Sequence, residues 1–522
     1  MMQKINSYKK YKDFKILLVY PNIQMCEMMP YSMGLLTALL KREGFQVDLF
    51  DSTFYVDKLN EQYTSYHDYV QEFDWKEKGR IFKSDIINDF HKKIEDFDPD
   101  LISVSVVENT YSTGKKMIES LPAKMKKIPI IWGGVFATFA PQLILRDNVG
   151  DHVCRGEGDN AVIDLCKRIC DGKSTHDTPN FWVRKNGSIT KNKMGPLADL
   201  ESAPFPDYSL FEDHAIYRAM QGKIRRTIGI ETQRGCTFSC AYCNSPSQVS
   251  LHKSEIGQMF ARKKSIKKVR EEMEFLHKKF NLELIYFLDD TFLAMSEKRF
   301  DEFSEMYMDF KIPFWMNTRC ETMTEKRAKR LEEMNMLRMS FGIEHGNEEY
   351  RSKVLKRSLT NERMLSAFNM TSGKKYVTNG NCLIGMPEET RDLIFDSIEF
   401  TRLLPDDCER TGAFIFAPYH GTPLRDIAVK KKYIKDPDSI CDITKPEDSM
   451  LDQPQLPRQE LIGLAGTFGF YQTLPKSKWK WIKKAEPDTN EAKKLRADLL
   501  KEYRETVASN HPGLSPPDTI DA

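Results

Sequence analysis

Cys236, Cys240 and Cys243 stand in the run Arg234-Gly-Cys-Thr-Phe-Ser-Cys-Ala-Tyr-Cys-Asn244, with the spacing C-x3-C-x2-C. Three thiolates on one tight loop can hold three irons of a cubane [4Fe–4S] cluster and leave the fourth iron open. Ferredoxin-type frameworks supply four cysteines and close the cluster. Here the next cysteine in the chain is Cys320, so no fourth lies nearby. An open iron is a site that a small molecule can chelate. Zinc binding is the plainer alternative, but zinc sites usually want four ligands and C-x2-C pairs.

Such a loop needs a strand before it and loops around it. From residue 226 the apolar pattern predicts strands at 227–233, 282–289, 314–318, 337–343, 377–384 and 413–418. Helical patterns at 265–280, 296–310, 325–334, 361–372 and 390–404 separate them. Six strands with intervening helices make a partial α/β barrel, whose active site sits on loops at the C-terminal strand ends. Cys236 follows the first of these strands, so the cluster belongs at that face.

Upstream, strands are expected at 14–20, 47–51, 101–107, 128–132 and 151–154. Helices are expected at 32–43, 84–97 and 113–125, and from the Gly156-Glu-Gly-Asp159 turn to Cys170. This alternation implies a parallel sheet with helices on both faces, and such sheets bind ligands at the carboxyl ends of their strands. The expected α/β organisation is a Rossmann-like domain over 14–186, a Pro- and Gly-rich linker over 187–222, a (β/α)6 partial barrel over 223–430, and a small, mostly helical region over 431–522. The Pro-rich stretch from Asn510 is expected to be disordered.

The bulk composition removes several classes. Lys+Arg number 78 and Asp+Glu 76 among 522 residues, which argues against a dedicated nucleic-acid binder. No apolar run is long enough for a membrane span, and the lysine-rich residues 1–15 lack the apolar core of a secretory signal. Eleven scattered cysteines do not form a disulfide framework. With an iron–sulfur loop they read as a reduced, cytoplasmic protein. Cys154, Cys166, Cys170, Cys320, Cys382, Cys408 and Cys441 read as core residues.

The cysteine spacing with an aromatic, Tyr242, before the last cysteine resembles the signature of the radical S-adenosylmethionine (SAM) superfamily. Four further pieces follow in the order such a barrel has them: Asp289-Asp290-Thr291, Gly342-Ile-Glu-His-Gly346, Gly385-Met-Pro-Glu-Glu-Thr390 and Tyr419-His-Gly-Thr-Pro423. Together they resemble the cobalamin-binding-domain (class B) radical SAM enzymes over about residues 14–430. The resemblance implies that SAM fills the open iron site and yields a 5′-deoxyadenosyl radical, the cofactor doing the hard step while the protein orients and shields it. It implies that Asp289 and Asp290 accept from the methionine ammonium, Arg319 pairs with a carboxylate, Glu344 takes ribose hydroxyls and Tyr242 packs near adenine. His420 stands where many relatives have Pro, and at the barrel mouth it is a candidate acid or base.

The N-terminal segment resembles a cobalamin-binding fold through Ser103, Ser105, Gly133 and Gly134. The glycines let the nucleotide tail run along the sheet edge and the hydroxyls bond it. No G-x-G-x-x-G follows the first strand, which weakens a dinucleotide reading. Base-off cobalamin proteins place D-x-H-x-x-G there, whereas this chain has Pro21-Asn-Ile-Gln-Met-Cys-Glu-Met-Met-Pro30, and its first histidine is His67. The cobalt is therefore expected to lack a histidine ligand. Cys26, Met25, Met28 and Met29 sit in this loop, where core or loop packing is the simpler expectation and a place under the cobalt the alternative.

The implied activity is methyl transfer from methylcobalamin to an unactivated carbon of a small-molecule or lipid-like substrate, after hydrogen abstraction. The alternatives are a cyclase, ring-contraction or oxidative enzyme using the same cofactors without methyl transfer, and a cobalamin-binding regulator. No auxiliary cysteine set supports a methylthiotransferase. An electron donor such as flavodoxin or ferredoxin is an expected partner. The basic run 476–484 (KSKWKWIKK) offers a membrane surface or anionic substrate a contact, although a packing helix is the simpler expectation.

Overall fold

A computed structural model describes residues 10–22, 28–56, 78–442 and 449–510. Met25, Cys26 and His67 lie outside the described residues, as does the Pro-rich stretch after Asn510. The chain divides into two compact units, the first drawn from residues up to 216 and from 247–262, the second from 217–246 and from 263 onward.

The first unit is built on a seven-stranded sheet. Its strands are β1 (Lys15–Tyr20), β2 (Gln46–Asp51), β3 (Leu101–Ser105), β4 (Ile130–Gly133), β5 (His152–Cys154), β6 (Phe181–Lys185) and β7 (Ser188–Lys191), in the order β2-β1-β3-β4-β5-β6-β7. The first five are parallel, and β1 and β3 are almost wholly buried because helices cover both faces. The order reverses between β1 and β3, the kind of switch point where open sheets bind ligands.

Two strands are additions to the expected five. β6 and β7 form an antiparallel hairpin on β5, turned by Asn186 (φ 50) and Gly187 (φ 79). Asn-Gly is the strongest short-range hairpin signal, and it lies at the start of the stretch expected to be a linker. The Pro-rich piece 203–208 packs on helix Tyr31–Arg42. Asp207 N–H donates to the Gly34 carbonyl at 2.9 Å and Lys41 pairs with Asp207 at 2.8 Å. A Cβ on Gly34 would meet the Tyr208 ring at 2.8 Å, so only glycine permits this approach.

The second unit carries β8 (Tyr217–Met220), β9 (Lys223–Ile230), the two-residue pieces β10 (Gln233–Arg234) and β11 (Arg262–Lys263), then β12 (Leu284–Phe287), β13 (Phe314–Arg319), β14 (Met336–Glu344), β15 (Val377–Ile384) and β16 (Cys408–Ile415). β9, β12, β13, β14, β15 and β16 are parallel and neighbour one another in chain order. This is the expected half-barrel, extended by the antiparallel β8. Helices Ile266–Phe280, Glu297–Tyr307, Glu325–Glu333, Asn361–Thr371 and Arg391–Arg402 follow successive strands, each N-capped by a Ser or Thr side chain. Inside the barrel Trp315 Nε1 donates to Ser340 (3.1 Å), Ser340 to Asn379 (2.7 Å) and Asn379 to Asn381 (2.9 Å).

The C-terminal helices are Arg458–Thr473, Trp479–Ala485 and Asn490–Asn510. The basic run splits its tryptophans. Trp479 packs edge-on against Tyr471 and Phe395, while Trp481 is exposed under Lys480 and Lys484. No helix among the described residues is long and apolar enough to cross a membrane. The seven cysteines read as core residues are all buried.

Candidate functional site

The three-cysteine loop leaves the end of β9 and is fastened at both ends to the barrel rim. At its start, Asp289 just past β12 accepts from Thr232 N (3.0 Å), Gln233 N (2.7 Å) and Thr232 Oγ1 (2.7 Å). Gln233 reaches the Thr291 carbonyl at 2.7 Å. At its far end, Ala241 N donates to the Leu355 carbonyl and Leu424 N donates to the Ala241 carbonyl, both at 2.9 Å. The loop therefore spans the mouth, from the β9–β12 side to the segments after β14 and β16. An apolar cluster of Ala241, Leu355, Met386, Phe416 and Leu424 lies under this far end.

The cysteines themselves sit in a polar frame. Cys236 Sγ lies 3.7 Å from Thr291 Oγ1. Cys243 Sγ accepts from Ser245 N at 3.4 Å, and Ser245 Oγ donates to Asp290 at 3.2 Å. Cys240 Sγ accepts from Arg319 Nη1 at 2.7 Å. Burial pushes the Cys236 and Cys243 thiols up. Among the described residues no three His, Cys, Asp or Glu side chains converge as a single metal ion would require. A loop offering three thiols and no fourth ligand fits a cluster with one open iron better than it fits zinc.

The other sequence-selected barrel residues separate into two groups. Tyr242, Glu344 and Arg319 join one network with the cysteines. Glu344 Oε1 is 3.2 Å from Arg357 Nη1, and the same nitrogen donates to the Tyr242 hydroxyl at 3.2 Å. Burial pushes the Glu344 carboxyl up against the pull of Arg357, and raises the Tyr242 hydroxyl well above its usual range. Arg319 is held by Glu321, through Nε at 2.6 Å. Asp289, by contrast, is buried and filled by its three donors. Burial takes its carboxyl up to about 7, with Thr232 and Gln233 pulling the other way. His420 lies half-buried between β16 and helix Pro423–Lys430, in the field of Asp426.

Glu344 has φ 65, and His345 N donates to the Ile343 carbonyl at 2.8 Å, a positive-φ γ-turn. Such turns are strained. The next residues hold it. His345 Nδ1 accepts from Asn347 N and Nε2 bonds Glu389 Oε1, both at 3.0 Å; Gly346 N donates to Ser397 Oγ at 2.9 Å. Strain of this kind persists only where the surroundings over-determine it, as at binding sites.

Arg357 and Glu321 were not marked by the sequence. Arg357 is one cation among several in Lys353–Arg357, and nothing local shows that it alone is buried. Glu389 did carry a signal, since it belongs to the Gly-Met-Pro-Glu-Glu-Thr piece. Its Oε2 accepts from Met386 N at 3.0 Å and also from Gly385 N.

In the first unit, Ser105 pairs in register with Gly133 and Ser103 with Ile131, at the adjoining ends of β3 and β4. Neither serine hydroxyl has a hydrogen-bond partner among the described residues, and although Ser103 is a buried residue its hydroxyl oxygen is not sealed off from solvent. A Cβ on Gly133 would touch only Cys154 at 4.0 Å, leaving room along this edge. Gly134 has an internal reason to be glycine. Its φ is 98, and a Cβ there would collide with the Val106 carbonyl. Unpartnered hydroxyls beside open backbone fit a polar nucleotide tail.

Sequence profiles agree with this division. That of the radical SAM superfamily matches residues 230–401, and that of the B12 binding domain matches 27–165. The chain is a B12-binding-domain radical SAM enzyme. The cofactor set of this family is a [4Fe–4S] cluster, SAM and cobalamin. A curated relative, the uncharacterized methyltransferase PH0819 of Pyrococcus horikoshii, is 26% identical over 347 residues, covering 66% of this chain and 72% of the relative. Among solved structures, the radical SAM methyltransferase TsrM of Kitasatospora setae, with cobalamin and a [4Fe–4S] cluster bound, matches with a TM-score of 0.58 at 18% identity, over 80% of this chain and 75% of TsrM. The cobalamin-dependent SAM radical enzyme OxsB, with aqua-cobalamin and SAM bound, matches with a TM-score of 0.66 at 15% identity, over 95% of this chain and 72% of OxsB. At these identities the two structures speak for the fold.

Proposed function

We propose that the protein is a C-methyltransferase acting on an unactivated carbon of a small-molecule or lipid-like substrate. The carrying observation is the pairing in one chain of a B12 binding domain with a complete three-cysteine loop at a barrel mouth, in a protein whose curated relative bears a methyltransferase name. When bound, the cluster and SAM supply a hydrogen-abstracting radical and cobalamin supplies the methyl group.

The chain's own residues hold and aim these groups. Cys236, Cys240 and Cys243 are the iron ligands. Asp290 accepts from the methionine ammonium of SAM, and Glu344, aimed by its strained turn and by Arg357, accepts from the ribose. Tyr242 walls the adenine side. Asp289 serves by fixing the start of the loop, because its acceptor sites are already filled. His420, beside Asp426, holds or moves a proton at the mouth. Ser103, Ser105 and Gly133 line the path of the cobalamin tail, and Gly134 shapes the backbone behind it. A flavodoxin- or ferredoxin-type donor supplies electrons, and the exposed Trp481 with its lysines is the candidate contact for an anionic surface.

The test is product analysis with the reconstituted protein, SAM, cobalamin, a reductant and a substrate panel chosen from the neighbouring genes. Methyl transfer requires 5′-deoxyadenosine and S-adenosylhomocysteine to form together. Formation of 5′-deoxyadenosine without S-adenosylhomocysteine overturns it and selects the cyclase, ring-contraction or oxidative reading.

A further inference from the structure

The carboxylate with which Arg319 pairs in this structure is that of Glu321, and its remaining donor meets a thiol. The guanidinium lies between two residues of the cysteine loop. Nη1 donates to Cys240 Sγ at 2.7 Å, and Cζ sits 3.9 Å from the centroid of the Phe238 ring, inside the first gap of the motif. Nε and Nη2 are both taken by Glu321 Oε1, at 2.6 and 2.5 Å. The side chain is only 10% exposed. Burial pushes the Glu321 carboxyl up, but Arg319 and Arg357 outweigh it and hold Glu321 below the usual carboxylate range.

We infer that Arg319 is a positioning residue that sets the reduction potential of the cluster through Cys240. The inference rests on the cluster-binding part of the function proposed above and is independent of methyl transfer. Reduction adds one negative charge to a cluster already carrying three thiolates. A hydrogen bond and a buried cation at one ligand sulfur favour the more negative state, and both are recognised determinants of cluster potential. The charge is fixed, because a guanidinium does not lose its proton in proteins. Glu321 opposes it from the other side, so the pair is a fixed dipole whose positive end meets the sulfur. The Phe238 ring lies under the guanidinium carbon, a cation–π contact that is worth most when desolvated.

The experiment is an EPR-monitored redox titration of the reconstituted cluster in the full chain, for wild type, Arg319→Gln, Arg319→Lys and Glu321→Gln. Arg319→Gln is expected to shift the midpoint to more negative values, Arg319→Lys to restore part of that shift, and Glu321→Gln to move it to more positive values. Iron and sulfide content is measured alongside. If Arg319→Gln does not retain its cluster, Arg319→Lys and Glu321→Gln still carry the sign test. Opposite signs support the inference, since a role confined to loop structure does not produce them. Unchanged midpoints, or shifts of one sign in every variant, overturn it. Weakened SAM binding with an unchanged midpoint also overturns it and returns Arg319 to the SAM carboxylate. Failure of methyl transfer leaves these midpoints untouched, so the two proposals fail separately.

Discussion

Glu344 at the end of β14 is paired through Oε1 with Nη1 of Arg357, 3.2 Å away, in a turn whose φ of 65 at Glu344 the neighbouring residues enforce. Arg357 is 2% exposed and the Glu344 side chain 13%, so the pair is largely shielded from water. Gly342 permits this, because a Cβ there would strike the folded-back Glu344 carboxylate. Deleting one partner of a buried pair leaves an uncompensated charge, so Arg357→Met should cost about 3–5 kcal/mol. The double variant Arg357→Met/Glu344→Gln, which removes both charges of this pair and leaves Glu321 to Arg319, should recover a large part of that loss. Chemical denaturation of the two single variants and the double variant checks this; purely additive losses would show that the pair does not couple.

The adjacent glycines at the end of β4 should behave oppositely. Gly134→Ala forces a side chain into φ 98, ψ −178, a region essentially reserved to glycine, at a cost of about 1–3 kcal/mol before any clash with Val106. Its melting temperature should fall with or without cobalamin. Gly133→Ala meets only Cys154 at 4.0 Å and should melt like wild type, yet retain less cobalamin on gel filtration. If Gly133→Ala binds cobalamin as wild type does, the tail does not pass along this edge.

The two tryptophans of the basic run separate packing from surface contact. Trp479→Ala removes ring contacts with Tyr471 and Phe395 and should cost about 1–3 kcal/mol, less than a fully buried aromatic. Trp481→Ala should leave stability unchanged and reduce sedimentation with anionic vesicles. Equal sedimentation of Trp481→Ala and wild type would remove the membrane-surface role.

The legible parts of this chain are those where local pattern and tertiary role coincide. The parallel strands read clearly because burial on both faces turns them into apolar runs, as in β1 and β3. The cysteine loop read clearly because its ligand spacing is local. The hairpin of β6 and β7 was missed although Asn186-Gly187 announces it, since β7 is exposed throughout and has no apolar alternation. Arg357 was illegible for a different reason. Its importance comes from Tyr242 and Glu344, which are distant in sequence and meet it only after the barrel forms. Asp289 was visible as a residue but not in its role, because a carboxylate at a strand end looks the same whether it faces a ligand or the backbone amides of its own chain.

That role gives Asp289 a distinct pH signature. Its carboxyl is raised from 3.8 to about 7 by burial. A raised folded-state value means that the folded chain holds the proton more tightly than the unfolded chain. The resulting stability is fully present below the unfolded value and is lost as pH rises toward the folded one. Across roughly pH 4 to 7 the wild type should therefore lose up to about 4 kcal/mol relative to Asp289→Asn, which does not titrate. Asparagine can still accept from Thr232 N and Gln233 N and donate to Thr232 Oγ1, so Asp289→Asn should keep its cluster. Asp289→Ala strands buried amides at about 1–3 kcal/mol each and should reconstitute with less iron. Denaturation of wild type and Asp289→Asn at several pH values, with iron content for all three proteins, decides the matter. A stability difference that does not change with pH would mean that Asp289 stays ionised in the folded loop. Full iron in Asp289→Ala would mean that the loop does not depend on this brace.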